Sequence, residues 1–323
     1  MHILITGGAG FIGSNLALYH LEMGDKVHVV DNLSTGNIDN LKACFTYRDF
    51  FFDEVDILTD QELDKKVNWA DRIYHLAAVV GVFRVLEKPI SVLSTNIAGC
   101  ERVLRAVKRS EWKAKVIIAS TSEVYGNREG NLELHEDMEL IVSPGMNSRW
   151  NYSISKLADE AFGLSYVREY DLDITVIRFF NVIGPHQTGK YGMVVPRFVR
   201  QAVKNEDLTI FGDGTQVRSF TDVRDVVVYL DDIAKNPLTK GEIINVGSHQ
   251  EITIKDLALK VKALAQSSSE LVYIPYEEAY GAEFEEIYHR KPNLDKLRRF
   301  SSHQIQWHLD DTIKDLIARM RKE

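Results

Sequence analysis

His2-Ile3-Leu4-Ile5-Thr6-Gly7-Gly8-Ala9-Gly10-Phe11-Ile12-Gly13 begins as a short apolar run and breaks on a cluster of glycines. Beyond the break, Ile12, Leu16, Tyr19 and Met23 recur at helical spacing until Gly24 interrupts them. Strand, tight turn and helix are therefore expected in direct succession. In that context Gly8-x-Gly10-x-x-Gly13 points to dinucleotide binding. Small residues let the backbone approach a pyrophosphate, whose charge meets the amides and positive end of the helix. Glycines needed only for turn geometry are the simpler alternative, and the flanking elements weigh against it.

A second apolar run, Val27 to Asp31, ends on a carboxylate about 20 residues past the glycines, placed to accept hydrogen bonds from an adenosine ribose and to repel a 2'-phosphate. NAD is thus expected rather than NADP. Further runs at 73–77, 116–120 and 174–178 read as buried strands, with helical patterns at 90–109 and 152–170. Strands alternating with such helices imply a parallel sheet covered on both faces, the doubly wound α/β architecture of the Rossmann type. After residue 181 the elements shorten, with helical patterns at 194–204 and 223–234 and a turn at Gly212-Asp213-Gly214. Residues 1–180, with 220–247 returning through the apolar run 243–246, are expected to form the NAD-binding domain. Residues 181–219 and 248–323 are expected to form a smaller C-terminal α/β lobe that binds substrate at the carboxyl edge of the sheet.

Composition narrows the function classes. The 323 residues are 45% hydrophobic, enough for a sizeable core, and carry a net charge of -8, which argues against nucleic acid or an anionic membrane as partner. Cys44 and Cys100 are the only cysteines, without the Cys/His spacing of a zinc site, so neither a disulfide framework nor a metal is expected. No apolar run approaches the ~20 residues of a membrane span, and the amino terminus lacks the pattern of an export signal. A cytoplasmic protein is the expectation. His75 at a strand end, and Trp69, Trp112 and Trp307, read as packing residues.

Thr121-Ser122-Glu123 and the later Tyr152-x-x-x-Lys156 supply an acid, hydroxyls, a phenol and an ammonium. Four residues apart on a helix, Tyr152 and Lys156 leave the same face, where the ammonium would favour phenolate and lower the tyrosine pKa. Such a tyrosine can accept a hydroxyl proton while hydride leaves the same carbon. A fold that only held a cofactor, such as an NAD-sensing scaffold, needs none of this set.

The segments Gly7-x-x-Gly10-x-x-Gly13, YHLAA (74–78), Asn96-x-x-Gly99, STSEVYG (120–126), YSISK (152–156) and RFFNVIGP (178–185) together make the chain resemble an extended short-chain dehydrogenase/reductase acting on nucleotide sugars. The resemblance implies an NAD that is reduced and reoxidised within one turnover, and a homodimer formed through the helices near 90–109 and 152–170, whose apolar faces are otherwise simply intramolecular core. It implies cofactor contacts from Gly7, Gly10, Phe11, Ile12, Gly13, Asp31, Asn32, Leu76, Ala77, Ala78, Asn96, Tyr152 and Lys156. Asp56 and Ile57 are plausible neighbours of the adenine, although a surface turn explains Asp56 nearly as well. Arg84, Asn181 and Arg218 fall where the family contacts a nucleoside diphosphate sugar, and an acidic protein needs a cation such as Arg218 at the diphosphate.

Oxidation at C4 of the sugar opens three outcomes: epimerisation, dehydration across C5 and C6, or decarboxylation of a uronic acid. Glu123 has an evident acid/base role in the last two and little in the first. Familiar dehydratases carry an aspartic acid where this chain has Ser122, a much poorer acid. Dehydratases with Thr-Ser-Glu exist but resemble NADP enzymes, against the reading of Asp31. STSEVYG, Arg149-Trp150-x-Tyr152-Ser153-x-Ser155-Lys156 and His289-Arg290-Lys291-Pro292 are most similar to UDP-glucuronate decarboxylases. That resemblance implies catalysis by Thr121, Ser122, Glu123, Tyr152, Lys156 and Arg290, with Arg290 at the substrate carboxylate. An ordinary basic surface stretch, with Lys291, Arg298 and Arg299, is the alternative for Arg290.

Overall fold

The computed structural model describes residues 1–128, 130, 132–142, 150–189, 192–280 and 286–322, with backbone alone at 82–84. Seven strands form the central sheet: β1 (His2–Thr6), β2 (Lys26–Asp31), β3 (Phe50–Glu54), β4 (Arg72–His75), β5 (Lys115–Thr121), β6 (Ile174–Phe179) and β7 (Ile243–Val246). Their spatial order is β7-β6-β5-β4-β1-β2-β3, and every pairing is parallel. This is the doubly wound topology, with the strand order reversing between β1 and β4.

The near-continuous apolar strands follow from burial on both faces. Ile3 and Ile5 of β1 face one helical layer while Leu4 faces the other. On the first face lie Leu16 and Leu21 of α1 (Phe11–Glu22) together with Val226 and Leu230 of the helix Val223–Lys235. On the second lie Val103, Leu104 and Val107 of α2 (Pro89–Arg109), which packs on α3 (Trp150–Tyr170). Boundaries shift slightly from the sequence reading. β4 stops at His75 instead of 77, because Leu76 leaves the ladder after one last bond from its N–H to the Thr6 carbonyl, and α2 starts on Pro89, whose missing N–H costs nothing in a first helical turn.

A four-stranded mixed sheet stands beside the large one. Val217–Ser219 pairs antiparallel with Glu251–Thr253 and parallel with His289–Pro292, which also pairs with Glu133–Leu134. The register sets Arg218 directly opposite Arg290. A separate apolar cluster, including Phe198, Leu208, Leu257, Val261 and Ile313, fills this part of the molecule. His75 is buried with its Nδ1 at 2.8 Å from Thr6 Oγ1, Trp69 stacks on His2, and Trp307 lies beneath the Arg224 guanidinium. Trp112, expected to pack, is instead 60% exposed, because it sits in the turn between α2 and β5 rather than on a buried face.

One buried polar fork ties helix to sheet. Arg178 of β6 donates from Nε to Glu160 Oε1 at 3.0 Å and from Nη2 to Oε2 at 2.8 Å, and Ser120 of β5 donates to the same carboxylate at 2.5 Å. This fixes α3 against two strands that end in the site. Glu160→Ala strips the buried guanidinium of its partner and is expected to cost about 3–5 kcal/mol, read as a lower midpoint in urea unfolding.

Candidate active site

A cavity of 1770 Å³ opens at the carboxyl edge of the large sheet, beneath the smaller one. Gly7, Gly10, Phe11, Ile12, Gly13, Asp31, Asn32, Asp56, Ile57, Leu76, Ala77 and Ala78 all line it. Phe11, Ile12 and Gly13 are the first turn of α1, and Gly10 offers no side chain to cap their amides, which suits an anion at that end. Gly7 has a positive φ of 72°, and a Cβ there would lie 2.6 Å from the Ala77 nitrogen, so the turn must stay bare to pass beneath the 76–78 segment.

Asp31 sits at the end of β2. Its Oδ2 accepts from the Ala9 N–H at 3.0 Å and its Oδ1 from the Leu33 N–H at 2.8 Å. Burial raises its pKa despite both bonds, which oppose the rise. A Cβ on Gly36 would fall 2.9 Å from both carboxylate oxygens, so only a bare backbone fits this close against the acid. Asn32 donates to Asp56 at 2.9 Å, linking two of the expected contacts along the rim. Asn96 stands behind the wall and is not among the lining residues. Its amide is engaged with both the N–H and the carbonyl of Val79 and with Ser155 Oγ at 3.0 Å, so it ties the segment at Val79 to α3.

Thr121, Ser122, Glu123, Tyr152, Lys156, Asn181, Arg218 and Arg290 line the same cavity. Thr121 ends β5 and caps the short turn Ser122–Tyr125, its hydroxyl accepting from the Glu123 N–H at 3.3 Å. That turn aims Glu123 at Arg290, with Oε1 and Nη1 3.4 Å apart. The sequence reading expected Lys156 to lower the Tyr152 pKa. Lys156 does pull it down, but burial, with Glu123 and Asp159, prevails and the phenol is pushed up to about 12. Lys156 itself is buried and paired with Asp159, Nζ to Oδ2 at 3.0 Å. Asn181 donates to the Ser219 carbonyl at 3.1 Å, and Arg218 bonds Glu286 at 2.9 Å. Arg84 and Arg149 lie outside what the structure describes, Arg84 in its side chain.

Asp159, Glu286 and Gly36 were missed by the sequence reading. Asp159 falls on the Tyr152/Lys156 face of α3 by spacing alone, so a signal existed; Glu286 lies in an irregular segment and Gly36 in a loop, with no local periodicity to reveal either. Among the described residues no group of three or more His, Cys, Asp or Glu is arranged to hold a metal, and no helix is long and apolar enough to cross a membrane. If Asp31 is the ribose contact, NAD binds more tightly than NADP by isothermal titration calorimetry, and Gly36→Val, crowding that carboxylate, weakens NAD by about tenfold or more.

A model of the NAD dependent epimerase/dehydratase family matches residues 3–247. A UDP-N-acetyl-alpha-D-glucosaminuronate decarboxylase of Bacillus cytotoxicus is 38% identical over 99% of this chain and 97% of its own. UDP-glucuronic acid decarboxylase 1 of Xenopus tropicalis is 31% identical over 99% of this chain and 72% of its own. Among solved structures, the UDP-glucuronic acid 4-epimerase of Bacillus cereus, in complex with UDP-glucuronic acid and NAD, superposes with a TM-score of 0.88 at 27% identity, covering 100% of this chain and 99% of that one. The bare glycine turn, the uncapped helix end and the Asp31 carboxylate lining the cavity fit NAD. The resemblance drawn from scattered motifs thus extends to the full length of the fold, and the chain belongs to the NAD-dependent epimerase/dehydratase family of enzymes.

Proposed function

We propose that this enzyme oxidises C4 of a UDP-linked hexuronic acid and then releases the C6 acid as carbon dioxide, the reaction of a UDP-glucuronate decarboxylase. The observation that carries this reading is Arg290. It is buried at the cavity, and among the described residues its Nε has no hydrogen-bond partner and the carboxylate paired with it, Glu123, is held at a loose 3.4 Å. A neutral hexose offers such a cation no opposing charge, whereas a carboxylate can take it bidentately. The relatives named as decarboxylases of UDP-glucuronic acid and of its N-acetylated counterpart support the reading, and both acids have the C6 carboxylate and C4 hydroxyl it requires.

The glycine turn, Asp31 and the 76–78 segment would hold NAD, which when bound would supply the hydride acceptor and a positive ring. Tyr152, as the phenolate that Lys156 one turn along α3 and a cationic cofactor ring favour, takes the C4 hydroxyl proton with Thr121 assisting. A ketone at C4 makes the sugar a β-keto acid, so the C5–C6 bond breaks with its electrons moving into the carbonyl. Arg290 holds the carboxylate until it leaves, and Glu123 beside it handles the proton that C5 then receives. Ser122 is buried and a poor acid, which leaves that transfer to Glu123. Arg218 and Asn181 take the diphosphate side, with Arg84 as a further contact. The product is UDP-xylose where the ketone is reduced again, or a 4-keto pentose where it is not. We also assign the large sheet to the cofactor and the smaller one to the nucleotide sugar, and the dimer contact to α2 and α3.

Incubation with UDP-glucuronic acid, UDP-N-acetylglucosaminuronic acid and UDP-glucose, followed by mass spectrometry, tests this. Loss of carbon dioxide from an acid is expected; unchanged mass with altered retention means epimerisation and loss of water means dehydration, and either overturns the reading. Glu123→Gln and Arg290→Ala are each expected to lower kcat by about 10²–10⁴-fold, measured on the acid that reacts.

A further inference from the structure

We propose that Asp159 is a positioning residue for the reaction: from the turn of α3 beyond Lys156 it holds that ammonium aimed and charged, and through it sets the pH range in which Tyr152 serves. The proposal rests on the reading of Tyr152 and Lys156 given above. Tyr152, Lys156 and Asp159 follow at spacings of four and three on α3 and so share one face. The Lys156–Asp159 contact is 3.0 Å, with side-chain exposures of 2% and 0%. Ordinary helix stabilisation does not account for it, since a lysine N-terminal to its acid runs against the helix dipole. Nor does core stability, because an apolar pair of similar volume serves a buried site as well or better.

The surroundings single out Asp159 as the group that keeps Lys156 charged. Burial alone would lower the Lys156 pKa; Asp159 and Tyr152 outweigh it and the net shift is upward. His75, from β4, is driven down to about 3 by burial and by Lys156, so it is neutral there. From α2, Cys100 lies against Asp159 and is held as a thiol by burial and by that carboxylate. Glu160, the next residue of α3, is engaged by Arg178, and Glu123 acts on Tyr152 from the far side. Asp159 takes the Lys156 ammonium through Oδ2 at 3.0 Å, and the Cys100 thiol is the other side chain hydrogen-bonded to this carboxylate.

Two measurements test this. In Asp159→Asn the basic limb of the kcat profile moves down by about one pH unit or more, so kcat above neutrality falls about tenfold, while KM for UDP-glucuronic acid is unchanged and Asp159→Glu restores part of the loss. The second needs no substrate. Asp159→Asn lowers Tm in the wild-type background but raises it in Lys156→Met, where Asp159 is a buried charge without its counter-ion. An unmoved pH profile, or the same fall in Tm in both backgrounds, overturns the proposal. The profile can be read on any nucleotide sugar that is turned over, so a wrong assignment of decarboxylation leaves both measurements intact.

Discussion

Strands hydrogen-bonded in parallel all finish at one edge, and in this protein that single constraint gathers the chemistry. The register of β1 with β2, and of β4 with β5, sets Thr6, Asp31, His75 and Thr121 along the carboxyl edge, so the glycine turn, the acid after β2, the 76–78 segment and the Thr-Ser-Glu turn emerge side by side. The reversal of strand order between β1 and β4 then leaves a crevice, since the connections on either side run to opposite faces. Residues far apart in the chain need no contacts of their own to meet there. The Glu160–Arg178 fork adds the last requirement by fixing α3, and with it Tyr152 and Lys156, against the ends of β5 and β6.

Charge is handled at this edge by desolvation and pairing together. Lys156, Arg218 and Arg290 are all at most 8% exposed, and each meets a carboxylate: Asp159, Glu286 and Glu123. Unpaired, each would be destabilised by several kcal/mol. The pairs differ in tightness. Lys156 and Arg218 hold their acids at 3.0 and 2.9 Å, within the range of a firm charge-assisted bond, while Arg290 and Glu123 stand 3.4 Å apart. The looser pair is the one that has to open if Arg290 is to take a substrate acid.

Much of this was legible in the sequence. The strand-turn-helix of residues 2–22, the acid that ends β2 and the two long helices follow from periodicity, which burial on both sides of a parallel sheet enforces, and the Tyr152/Lys156 face follows from helical geometry. Pairings between distant segments were not legible. Glu123 and Arg290 are 167 residues apart, and nothing local to either names the other. The rise of the Tyr152 pKa was misjudged for a related reason: the helix supplies the neighbouring ammonium, but the burial that outweighs it comes from the whole fold. The bonds of Asn96 to Val79 and Ser155 were not legible either, because an asparagine motif does not show which backbone its amide meets.

The register of Arg218 with Arg290 carries one more consequence. Neighbouring strands lie about 4.8 Å apart, so two cations start from adjacent positions in one small sheet and must be kept compatible by their acids. A nucleotide sugar with a diphosphate at one end and a carboxylate at the other brings an anion for each. On the function proposed above, binding would exchange Glu123 for the substrate acid at Arg290 and so release Glu123 from its ion pair as a proton-handling group is needed beside C5. In the free enzyme the same glutamate offsets the buried charge that would otherwise strain the small sheet. On that reading a single residue would serve stability before binding and chemistry after it, and the loose 3.4 Å contact would ease the change of partner.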